Sequence, residues 1–221
     1  MHSFTEKSVS WNPVPTINDI MLVKIYPENP NPKEIAKIAD LLRNDGVIIY
    51  PTDGVYAFGC SLSSLKAIDR IKTIRSKRDD ELTIVCESLS HISEFARVDN
   101  IQFRTLKRNL PGAFTFILQA SGKVSDKALG RRKTVGVRIP ANLIPVEIVK
   151  ELGIPMATAS VKDSDEIIEY TTDPELIYER YGKIVDAVID GGYGDNIPTT
   201  MVDLTTDEPE IIREGGGELQ Y

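Results

Sequence analysis

Arginine 138 is the residue of this chain whose setting most demands a chemical reason. It sits in the apolar run Thr134-Val-Gly-Val-Arg-Ile139. An arginine on a strand covered on both faces is costly unless a carboxylate or an anionic ligand meets its guanidinium, best of all bidentately. Strand alternation puts Arg138 on one face with Gly136 and Pro140. Thr158 and Ser160 lie two apart in the small-residue run Ile154-Pro-Met-Ala-Thr-Ala-Ser160. Their hydroxyls suit phosphate or carboxylate oxygens, although a helix packed close on that strand would also explain such small side chains. Arg75, Lys77 and Arg78 cluster at the end of an amphipathic segment, where they either meet phosphate or complement a helix dipole. The pair Thr52-Asp53 follows the buried run Gly46-Val-Ile-Ile-Tyr50 and the ladder-breaking Pro51, and open α/β sheets take their ligands at such carboxyl ends. A plain strand–turn–strand corner, with Gly54 and Gly59 bending the backbone, is the other reading of that stretch. The shared chemistry is the handling of phosphate and carboxylate.

Other chemistries lack their residues. Neither GxxxxGK[ST] nor GxGxxG occurs, so there is no P-loop and no dinucleotide fingerprint. His91 is the only histidine besides His2, which leaves no Ser-His-Asp or Cys-His arrangement and no histidine-based metal site. Cys60 and Cys86 are each embedded in apolar sequence and read as buried free thiols, with a disulfide as the lesser alternative. The net charge of −7 hides an asymmetry: residues 61–138 carry 16 Lys and Arg against 8 Asp and Glu, a local +8, while the rest is −15. A basic middle in an acidic chain suggests a positive face for phosphate, nucleotide or RNA. No apolar run reaches the roughly 20 residues of a membrane span, and the polar start of the chain carries no signal-peptide pattern, so a cytoplasmic protein is expected.

The elements that must hold these residues follow from periodicity. Residues 1–20 read as an N-terminal arm and 21–221 as a single domain. A strand over 22–25 precedes a helix that Asn31-Pro32 starts and Asp45-Gly46 stops. The strand at 47–50 comes next. Helices are expected from Leu65 to Ile74, over 88–96, over 100–109, over 143–152 and up to Tyr181. Strands are expected at 82–86, 113–118, 134–139, 154–160, 185–189, 200–204 and 210–213, with a basic loop over 123–133. This interleaving implies an α/β sheet of mixed parallel and antiparallel strands with flanking helices.

Several of these runs, taken in order, carry a family resemblance. Gly46-Val-Ile-Ile-Tyr-Pro-Thr-Asp-Gly-Val-Tyr-Ala-Phe-Gly59 resembles the PTxTVYGLG opening of the YrdC-like superfamily, the threonylcarbamoyl-AMP synthases. The likeness continues through Arg75-Ser-Lys77-Arg78, Pro111-Gly-Ala-Phe-Thr-Phe-Ile-Leu118, Val135-Gly-Val-Arg138-Ile-Pro140, Pro155-Met-Ala-Thr-Ala-Ser160, Pro198-Thr-Thr-Met-Val-Asp-Leu204 and Arg213-Glu-Gly215, and it is strongest to the YciO-like branch. The resemblance implies a twisted sheet around a large positive cavity. It implies ATP as the nucleotide, with Mg2+ accompanying it, and L-threonine and bicarbonate as co-substrates for threonylcarbamoyl-adenylate, the intermediate of tRNA threonylcarbamoylation at adenosine-37. Binding of tRNA or double-stranded RNA is the family's other attribute.

Carried over by position, Arg75, Lys77 and Arg138 are the candidate catalytic cations. The nucleotide falls to Arg75, Lys77, Arg78, Ser160, Lys162 and Arg213, and the threonine to Thr52, Arg138, Thr158, Thr199 and Thr200. An RNA face would use Lys66, Arg70, Arg131, Arg132 and Lys133. Two motifs depart from the synthases: their Lys-x-Arg is inverted here to Arg75-x-Lys77, and their Ser-x-Asn is Ser160-x-Lys162. Lysine in place of arginine loses bidentate geometry, and Cys86 lies about where synthases often place a histidine. The chain also reads as lacking the extra C-terminal domain of the longer synthases. The expectation is a nucleotide-and-carboxylate pocket with weak or altered synthase chemistry, and the alternatives are a non-catalytic RNA-binding protein or an adenylating or carbamoylating enzyme for another small acid.

Overall fold

A computed structural model of the chain describes residues 21–76, 82–129, 133–161, 169–206 and 208–221. The expected arm over 1–20, together with Lys77, Arg78, Arg131, Arg132 and Lys162, lies outside the described residues. Among the described residues, ten strands form one sheet: β1 (Met21–Lys24), β2 (Val47–Tyr50), β3 (Ala57–Ser61), β4 (Thr83–Val85), β5 (Phe114–Gln119), β6 (Thr134–Arg138), β7 (Met156–Ser160), β8 (Ala187–Asp190), β9 (Thr200–Asp203) and β10 (Glu210–Arg213). Their spatial order is β1-β8-β2-β3-β7-β4-β6-β5-β9-β10. Four pairs are parallel (β1 with β8, β2 with β8, β4 with β6, β5 with β9) and the others antiparallel, so the sheet is mixed as its interleaved sequence implies.

The helices start where side chains can accept the first free N–H groups. Asn31 caps α1 (Pro32–Arg43), and Ser64 caps α2 (Leu65–Ile74). Ser88 caps α3 (Leu89–Phe95), Asp99 forms a capping box with Gln102 on α4 (Asn100–Asn109), and a short turn α5 (Asp126–Leu129) follows. Asn142 caps α6 (Leu143–Leu152), α7 is Glu169–Thr172, and Asp173 caps α8 (Pro174–Tyr181). The apolar sides of α1 and α6 pack with Ile48, Tyr50, Val85 and Met156 on one face of the sheet. On the other face, residues of α2, α3, α4 and α8 cover Ile49, Phe58, Ile84, Phe116, Val137 and Ala157.

Two features rest on pairing that the sequence left open. The stretch after Pro51 returns as a strand, Ala57–Ser61, that pairs antiparallel with β2, Ile49 opposite Phe58. The strand–turn–strand geometry is therefore realised, because Val55 to Phe58 are apolar and buried backbone must find ladder partners. Strand β8, close in sequence to β9, joins β1 and β2 at the far side of the sheet instead.

Candidate functional site

Alternation along five strands lays a polar strip on the face that α1 and α6 pack against. In β6, Val135, Val137 and Ile139 belong to the apolar layer of the opposite face, so Gly136 and Arg138 point into the strip. Thr83 pairs with Gly136 on one side and with Thr158 on the other. A Cβ on Gly136 would stand 2.6 Å from Thr83 Cγ2 and 3.1 Å from Thr115 Cγ2, so the glycine leaves a low floor between two threonines. Arg138 is 5 % exposed, and among the described residues its Nε and Nη2 have no hydrogen-bond partner. A buried guanidinium with two unmatched donors demands an acceptor.

A second cation stands close by. Arg213 donates from Nη2 to the Thr199 carbonyl (2.8 Å) and from Nε to the same oxygen (3.2 Å). Burial, and next the positive charge of Arg138, hold the Arg213 guanidinium below its ordinary pKa. The Thr199 hydroxyl meets that of Thr115 at 2.8 Å. Arg138, Thr115, Thr199 and Arg213 thus gather two cations and two hydroxyls at one end of the strip.

Tyr50 forms the opposite wall. Its ring lies against Gly59, where a Cβ would come within 2.7 Å of Cε1, and its hydroxyl reaches Thr158 Oγ1 at 2.8 Å. Thr158 donates in turn to the Phe58 carbonyl (2.9 Å), so the tyrosine is the donor of the pair. Burial raises the Tyr50 pKa, against the opposing pull of Arg138.

The remaining residues singled out from sequence fall in several places. Thr52 is buried in the turn after β2, donating to the Val55 carbonyl (2.9 Å) and accepting from the Gly54 N–H (3.2 Å). Ser160 ends β7 half-buried, opposite Ala57. Thr200 does not face the strip: it shares the Val202 side, and its hydroxyl is bound to Gly217 through the carbonyl (2.6 Å) and the N–H (3.0 Å). Arg75 closes α2, whose apolar side packs on the other layer. Of the basic face, Arg70 is held by Asp186 (2.5 Å) and the Ile184 carbonyl (2.8 Å), while Lys66 stands 3.9 Å from Asp45 with its side chain 83 % exposed. Lys133 is exposed at the start of β6. Burial pushes the Cys60 thiol up to about 12 and raises Cys86 as well, so both behave as inert core groups. Among the described residues, no three His, Cys, Asp or Glu side chains come together as a metal-binding group, and no helix is long and apolar enough to cross a membrane.

Thr83, Thr115 and Tyr50 are site residues that motif reading passed over. Their signal was a single hydroxyl in each of three otherwise apolar runs, VIIY, TIV and FTFIL.

A mixed sheet with helices on both faces and a strip of arginines and hydroxyls among its strands defines an α/β protein with a polar candidate site. The chain belongs to the Sua5–YciO–YrdC family, described as telomere recombination, whose model matches residues 40–215. It is 41 % identical over 199 residues to the uncharacterized protein YciO of Escherichia coli K12, covering 89 % of this chain and 96 % of that one. The crystal structure of E. coli YciO superposes with a TM-score of 0.83 at 40 % identity, over 90 % of this chain and 97 % of that one. More distantly, the threonylcarbamoyl-AMP synthase of Bacillus subtilis is 27 % identical over 194 residues, 84 % of this chain and 54 % of the synthase. Sua5 of P. abyssi, crystallised with L-threonine, superposes with a TM-score of 0.80 at 26 % identity, over 89 % of this chain and 58 % of that one.

Proposed function

We propose that the chain binds ATP and a small carboxylate against the Arg138 strip, which forms one wall of a basic cavity, and that it performs a weakened or altered form of threonylcarbamoyl-adenylate synthesis for tRNA modification. The observation that carries this reading is the buried Arg138 guanidinium, with two donors unmatched and a second cation, Arg213, beside it. An anion resolves both the desolvation and the like-charge repulsion. Support also comes from the relation to a threonylcarbamoyl-AMP synthase and to a Sua5 that takes L-threonine.

In this reading Arg138 receives the carboxylate, with Thr115, Thr199 and the Thr52 turn around it. Arg213, Ser160 and the cations Arg75, Lys77, Arg78 and Lys162 serve the nucleotide. Fixed cations favour the charge that builds on phosphate as an adenylate forms and pyrophosphate leaves. Mg2+ would travel with the triphosphate and neutralise its oxygens, in keeping with the scarcity of carboxylates on the strip. The inverted Arg75-x-Lys77 and the Ser160-x-Lys162 motif are the reason to expect slow or redirected chemistry.

The test is calorimetric titration of ATP, alone and with L-threonine plus bicarbonate, while pyrophosphate release is followed, with Arg138→Ala as control. Threonine-dependent release that the variant loses supports the synthase. Binding without release points to another small acid, and no nucleotide binding refutes the reading. An RNA-binding surface is the second reading, favoured by the exposed Lys66 and Lys133. It requires RNA affinity that falls steeply with salt and that charge reversal at Arg131, Arg132 and Lys133 abolishes.

A further inference from the structure

The strand that brings Arg213 to the site carries an extra residue. In β10, Glu210 pairs with Asp203 and Ile211 with Val202, but the next pairing is Arg213 with Met201, so Ile212 has no place in the ladder. A bulge of this kind re-aims the side chains beside it. Ile212 is left exposed, and Arg213 turns onto the Thr199 carbonyl, within electrostatic reach of Arg138.

The chain beyond β10 then closes on the same peptide. A Cβ on Gly215 would stand 2.5 Å from the Thr199 carbonyl carbon and 2.6 Å from the Thr200 nitrogen, so only glycine lets the two backbones lie this close. The Gly216 N–H donates to the Pro198 carbonyl (2.9 Å), and the Thr200 hydroxyl bonds both the carbonyl and the N–H of Gly217. At the far end of this tail, buried Asn109 exchanges two hydrogen bonds with the Gln220 backbone (2.8 and 2.9 Å). Arg213 therefore grips a carbonyl that the tail holds in place from the other side. Two guanidinium groups repel, and a long side chain without such a grip turns its charge out to water. A cation already held where a ligand's charge will fall spares the cost of ordering it on binding.

We infer that Gly215 is a positioning residue: its close approach to Thr199 and Thr200 fixes the carbonyl that Arg213 grips, and so aims Arg213 at the phosphates of a bound nucleotide. This rests on the nucleotide site proposed above. Gly215 acts through Arg213. A side chain at 215 forces the tail or the Thr199 peptide aside and frees the guanidinium to turn away.

The experiment titrates ATP calorimetrically into the wild-type protein, Gly215→Ala, Arg213→Met and the double variant. Gly215→Ala should weaken ATP by about tenfold, the worth of one charge-assisted contact, and Arg213→Met by at least as much. The double variant should bind no more weakly than Arg213→Met, because the tail then has no cation left to aim. Asn109→Ala loosens the tail from its far end without a clash. It should weaken ATP in the same Arg213-dependent way, and it carries the test alone if Gly215→Ala does not fold. If neither tail variant changes ATP affinity, if Arg213→Met binds as wild type does, or if the tail variants weaken ATP by the same factor with and without Arg213, the inference is overturned while the nucleotide site stands. If the wild type does not bind ATP, the nucleotide site itself fails and the inference goes with it.

Discussion

The phenol of Tyr50 lies flat against Gly59 and delivers its hydrogen bond to Thr158, 2.8 Å away across the β2–β3–β7 face. Thr158 therefore keeps its hydroxyl for the protein, and the wall of the site is set by a ring. Gly59→Ala would place a methyl 2.7 Å from a fully buried ring carbon. The expected loss is about 1–3 kcal/mol from overpacking, read by urea denaturation, with Tyr50→Phe losing about 1 kcal/mol through the hydrogen bond alone.

Arg138→Met should separate stability from binding. Removing an unmatched buried cation should leave the ligand-free protein as stable or more stable, by something of the order of 1 kcal/mol. Thermal melting with and without ATP and L-threonine checks this: the variant should melt no lower than wild type alone and should show none of the ligand-induced rise. A variant that melts far lower without ligand would mean that Arg138 is a structural residue.

Thr200→Val tests the tail rather than the chemistry. The Thr200 hydroxyl both gives to and takes from Gly217, and the neighbouring Gly217 packs under the Phe114 ring. Leaving both backbone groups unmatched should cost about 1–3 kcal/mol. Hydrogen exchange should localise the loosening to residues 215–220, including the paired bonds between Asn109 and Gln220 (2.8 and 2.9 Å).

His91 sets an acid limit. Burial depresses its pKa below the ordinary 6.5, in part against the raising pull of Glu87 and Glu94, while Lys123 adds to the depression. The unfolded chain then binds the proton more readily than the folded one, so stability is full above about pH 6.5 and falls as the pH drops from there towards the depressed value. Melting temperatures between pH 5 and 7.5 should show this slope in the wild type, and His91→Gln should flatten it.

Much of this was legible in the chain itself. The caps Asn31, Ser64 and Asp173 and the apolar stripes they precede mark helices by local physics alone. Arg138 stood out because a charge inside a β-branched run contradicts burial. What could not be read was partnership across the sheet. That Thr200 turns to Gly217, that Arg70 is held by Asp186, and that β8 crosses to β1 depend on residues 17 to 166 positions apart. Thr83 and Thr115 acquired meaning only when register set them on either side of Gly136.

The order of the strands has a kinetic side. Strand β2 lies between β3, its near neighbour in sequence, and β8, which begins at Ala187. A nascent chain can close the β2–β3 hairpin early, but Val47 must then wait for the Asp186 carboxylate to meet its N–H, 139 residues later. Sheets completed by such distant pairings fold slowly and through populated intermediates. For as long as that wait lasts, the β2 edge is an open template for any passing strand, and refolding at high protein concentration should lose yield to aggregation before it loses rate.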